Sequence, residues 1–88
     1  MAHRQICATL YRGRDKQKIW VRYYNWMDTA MPRALALTLH TGEEGDVVQF
    51  HSTELGFEIG VLKVQANNRV KLEYSPLVHA SPTLLRLL

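Results

Sequence analysis

Residues able to act as base, nucleophile and acid stand side by side once in this chain, at His51-Ser52-Thr53-Glu54. Hydrolytic triads arise from convergence in space, not from adjacency. The run is better explained as a turn. A second cluster, Glu43-Glu44-Gly45-Asp46 with His40 nearby, offers oxygens to a divalent cation. It lacks the ligand spacing of an EF-hand loop, so a solvated hairpin tip is the simpler reading. His3, His51 and His79 have neither a paired cysteine nor a second histidine at helical spacing, which argues against zinc. Gly42 and Gly45 fall between expected strands and do not form a phosphate loop ahead of a helix. No catalytic residue, metal or cofactor is assigned, and an enzyme is not expected.

The residues that could instead bind something are aromatic and basic. Over 18–26 the sequence alternates, so that Trp20, Arg22, Tyr24 and Trp26 share one face of a strand. The basic loop holding Arg12, Arg14, Lys16 and Lys18 lies at the end of that row. Bases stack on aromatic faces for about 1–3 kcal/mol each, while Lys and Arg follow phosphates. The competing explanation is that these rings fill a core or a subunit interface, where Trp and Tyr are enriched.

The tail ends with Leu84, Leu85, Leu87 and Leu88, around Arg86. Ser81-Pro82 before it resembles a helix cap followed by proline at the first helical position. A turn or two of helix does not stand alone in water. The tail is therefore expected to dock, either on its own domain or as an arm in a groove of another subunit.

Charge divides along the chain. Residues 1–33 carry seven Arg or Lys against Asp15 and Asp28, a balance of +5. Residues 34–88 carry four against six acids, a balance of −2. The polarity suggests either a basic face for an anionic partner or complementary ends that attract further copies, with Glu43, Glu44 and Asp46 meeting the basic loop of the next molecule.

Positioning these groups falls to strands. Residues 45–74 read as three consecutive antiparallel strands, with Val70, Leu72 and Tyr74 alternating against Arg69, Lys71 and Glu73. Ala66-Asn67-Asn68-Arg69 supplies a turn, since Asn tolerates positive φ. Phe57 and Ile59 share a face, but the pattern then slips to Leu62 and Val64, which places a β-bulge or bend at Gly60. Gln5 to Tyr11 and Lys18 to Trp26 read as two earlier strands, and Asp28 to Pro32 as a loop. Leu35, Leu37 and Leu39 alternate, so 33–40 is expected as a strand, although Ala and Leu also favour helix.

Eighty-eight residues make one domain. The expected fold is all-β: a small antiparallel barrel or compact sandwich of five to six strands over 1–75, with a short C-terminal arm over 76–88. The lone cysteine, Cys7, cannot form an intramolecular disulfide. No secretory or membrane-spanning run is apparent, so the cytoplasm is expected, or a viral particle if the chain is an accessory subunit. The expected function is a non-catalytic assembly or protein-interaction module that self-associates or docks on a protein partner. The alternative is a nucleic-acid-binding small barrel. No membrane role is expected.

Overall fold

The computed structural model describes residues 6–54, 56 and 58–75. Among these the chain runs β1 (Ile6–Arg12), β2 (Gln17–Tyr24), α1 (Met27–Thr41), β3 (Val47–Ser52), β4 (Glu58–Val64), a 3-10 turn (Ala66–Asn68) and β5 (Val70–Tyr74). The strands form one antiparallel sheet in the order β2-β1-β3-β4-β5. The protein is mostly β, as the alternating sequence predicts. The sheet is open, however, with β2 and β5 as its edges. Closure into a barrel is not seen among the described residues, and the 76–88 arm and Phe57 lie outside them.

One row of paired residues crosses the whole sheet on the side that α1 covers. Trp20 faces Leu10, Leu10 faces Val48, Val48 faces Leu62, and Leu62 faces Leu72. Ile6, Ala8, Phe50 and Ile59 join this row to make the core with Met27, Ala30 and Ala34 of the helix. Such cross-strand pairs on a buried face are what fixes register, because a slip of one residue would turn the whole apolar set outward.

The helix corrects the expectation of a loop at 28–32 followed by a strand at 33–40. Its buried residues are Met27, Ala30, Ala34 and Thr38, a spacing of three and four. The alternating leucines do not form a buried face, and Leu39 is 57% exposed. Small residues at 30 and 34 let the helix lie close on β1 and β2, and Ala and Leu carry the highest helix propensity. Pro32, a loop signal in the sequence, sits at the sixth helical position, where it removes one backbone bond without ending the helix.

The slip in β4 is a bulge. Phe50 pairs with Gly60 and His51 with Glu58, so Ile59 is the extra residue, and it is fully buried. A Cβ built on Gly60 would come within 2.7 Å of the Glu73 carbonyl oxygen on β5. The turn before β5 also has the expected chemistry, with Asn67 at φ 62°. Replacing Gly60 by Val should therefore lower the thermal midpoint by about 5 °C or more, and an unchanged midpoint would contradict the close approach. Pro32→Ala should raise stability by about 1–3 kcal/mol, since proline is disfavoured inside a helix by roughly that amount, and a chemical-denaturation curve without an upward shift would contradict it.

Candidate functional site

Any surface this protein can offer depends first on which charges it spends internally. Arg12, at the end of β1, donates from Nε to both Asp46 carboxylate oxygens at 3.1 Å and from Nη2 to Oδ2 at 2.8 Å. Nη2 also donates to the Thr41 carbonyl at 2.9 Å, one of the last carbonyls of α1. Such carbonyls have no partner within the helix, and a cation at this end also suits the helix dipole. The Glu43 backbone N–H donates to Asp46 Oδ2 at 2.8 Å, and Asp46 is 2% exposed. The Glu43 carboxylate adds a 3.3 Å ion pair to Arg12 Nε. Beside this knot the Trp20 indole N–H donates to Thr41 Oγ1 at 3.0 Å, and that hydroxyl donates to the Leu37 carbonyl at 2.7 Å.

The ionisation of Asp46 follows from competing causes. Burial pushes its carboxyl up, while the hydrogen bonds from Arg12 and from the Glu43 backbone, with the charge of Arg12, pull it down further; the result lies below the usual carboxylate range. Arg12 is raised above its ordinary value, chiefly by the hydrogen bond to Asp46. Glu73 on β5 is also lowered, mainly by its hydrogen bond to Lys63, with Lys71 contributing. Its ion pairs to these lysines span 2.9 and 3.5 Å.

The residues proposed from the sequence are thereby separated. Trp20 is 8% exposed and belongs to the core, not to a ligand-stacking face. Tyr24 is half-buried and packs against that core, while Arg22 and Trp26 are exposed. Arg14, Lys16 and Lys18 are exposed around the β1–β2 turn. Asp46 is taken up inside the chain, whereas Glu43 and Glu44 stay exposed. The acidic loop does meet the basic segment, but through Arg12 of the same molecule. Leu84, Leu85, Leu87 and Leu88 lie outside the described residues. His51 and Ser52 are successive residues of β3, so their side chains project from opposite faces and do not converge. Among the described residues no group of three or more His, Cys, Asp or Glu side chains is placed to hold a metal ion.

Two surfaces remain. The first is the sheet face away from α1. Its central row runs Val21, Thr9, Gln49, Val61 and Glu73 across the strands. Val21, Gln49 and Val61 are half-buried, Thr9 is buried, and Tyr23 is 50% exposed. A hollow in this face is lined by Tyr11, Lys16, Val47, Gln49, Glu58 and Val61, with Gln49 Nε2 donating to Glu58 Oε1 at 3.2 Å.

The second surface is a groove between β2 and α1, lined by Arg22, Tyr24, Arg33, Ala36, Leu37 and His40. It adjoins a depression that shares Arg22, Tyr24 and Arg33 and extends to Asn25 and Thr29. The expectation of a strand over 33–40 leaves Arg33 outside the candidate residues, whereas the helix brings it to this groove. Read as a helix, Thr29, Arg33, Leu37 and His40 fall on one stripe.

No family model, curated protein or solved structure matches the chain. No helix among the described residues is long and apolar enough to cross a membrane.

The lowered Asp46 carboxyl predicts acid sensitivity with a definite sign. Its contribution to stability is complete above the unfolded-chain value of about 3.9 and is lost as pH falls through the lower folded value. Asp46→Asn should lower the thermal midpoint near neutral pH by about 4–8 °C and flatten its decline below about pH 4. Parallel midpoint-against-pH curves for the variant and the original chain would contradict the assignment.

Proposed function

We propose that this protein is a non-catalytic assembly module whose sheet face away from α1, uncovered among the described residues, packs against the same face of a second copy. The observation that carries this reading is the composition of that face. An antiparallel sheet with one solvated side normally presents polar residues there. Here Tyr11, Val21, Tyr23, Val47 and Val61 stand on the side away from the helix, around the buried Thr9.

Charge favours a copy of the same chain as the occupant. A two-fold contact brings identical surfaces together, so a face with a large net charge repels itself. On this face Glu58 and Glu73 offset two of the four lysines, Lys16, Lys18, Lys63 and Lys71, and Glu73 is paired to Lys63 and Lys71, so the net charge is small and confined to the β1–β2 corner. Two such faces stacked at about 10 Å would form a sandwich across the interface. The leucines at 84, 85, 87 and 88 are proposed as a second contributor, an arm reaching the neighbouring copy. The free thiol of Cys7 accords with a reducing compartment such as the cytoplasm.

Light scattering tests the reading. The full chain should have the mass of a defined oligomer, and Val21→Glu/Tyr23→Glu should reduce it to a monomer with an unchanged circular dichroism spectrum. A chain shortened to residue 80 should associate more weakly. A monomeric original chain, or an oligomer indifferent to both glutamates, would overturn the face-to-face contact.

A further inference from the structure

We propose that the groove between β2 and α1 binds single-stranded nucleic acid, with Arg22 and Arg33 on its phosphates and Tyr24 as a platform for a base. This site is distinct from the uncovered sheet face and does not depend on it.

The first support is charge. Arg22 reaches the groove from the edge strand and Arg33 from the helix, and no carboxylate is among the lining residues of the groove or of the depression beside it. Asp28, in the first turn of α1, is exposed and lies on the helical stripe of Pro32, Leu35 and Leu39, one position away from that of Arg33. Asp15 stands at the β1–β2 turn. A uniformly basic groove repels its own copy, which makes a polyanion the complementary occupant.

The second support is placement. Arg22 Nη1 donates to the Val21 carbonyl at 2.9 Å, which anchors the guanidinium and leaves further donors on it for a phosphate.

The third support is aromatic. The Tyr24 ring is held by packing against the core, so little freedom is lost when a base stacks on it. Trp26, two residues further on, adds an exposed ring. Stacking needs an unpaired base, which selects a single strand over a duplex.

The test is fluorescence anisotropy of a dye-labelled oligothymidine with the full chain, at about 50 and about 200 mM salt. Two to four phosphate contacts give a log–log salt slope between about −1.4 and −2.8. Arg22→Gln/Arg33→Gln should weaken binding at least about tenfold at the lower salt and flatten the slope by about 1.4. Arg69→Gln/Lys71→Gln, at the far end of the sheet, should leave both unchanged. Should the double variant fail to fold, Arg33→Gln alone on the exposed helix surface should weaken binding and flatten the slope by about 0.7. Absent binding at the lower salt, equal binding by the arginine variants, or equally tight binding of duplex DNA or heparin would overturn the assignment.

Discussion

The Arg12–Asp46 pair gathers the end of β1, the last turn of α1, the loop after it and the start of β3 at one point. The same loop is sewn to β4, because the Gly45 N–H donates to the Val64 carbonyl and the Val64 N–H to the Asp46 carbonyl, each at 2.9 Å. A buried carboxylate without its cation is costly, whereas one with several donors is tolerated. The pair therefore decides where the helix may stop and where the central strands may start. It also holds Thr41 beside Trp20, the largest aromatic in the core.

Spending these charges inside the fold shapes what is left outside. With Asp46 engaged by Arg12, the acidic loop keeps only Glu43 and Glu44 at the surface, and Glu43 already leans on Arg12. The basic character then concentrates on the edge formed by β2 and the outer side of α1. On the sheet face away from α1 two glutamates offset two of four lysines. The two surfaces differ in character, since one is partly apolar and of small net charge and the other is cationic and aromatic. Among the described residues one α-helix lies on one side of the sheet, which leaves the other face bare and makes a groove along the edge the helix overhangs.

Much of the sheet was legible because strand signals are local. The alternation of Val70, Leu72 and Tyr74, the asparagine turn and the slip at Gly60 each report a geometry set within a few residues. The helix was obscured by Pro32 and by three alternating leucines, whose period of two outweighed the quieter spacing of Met27, Ala30, Ala34 and Thr38. Small residues give a weak apolar signal even where they lie closest to the sheet. The same error hid Arg33, since only a helix brings it opposite Arg22. Trp20 could not be assigned from its strand alone, because burial depends on which face the helix covers. The opposite signs of the loops around Arg12 and Asp46 were visible, but antiparallel pairing of β1 with β3 brings them together within one chain.

Hydroxyl-radical footprinting across protein concentration shows whether the sheet face away from α1 is an interface between copies. Tyr11 and Tyr23 lie on that face, while Trp26 is exposed beside the helix start. Tyr11 and Tyr23 should lose reactivity together as the chain associates, with Trp26 unchanged. Constant reactivity of both tyrosines through a measured rise in mass would contradict it and place the contact elsewhere.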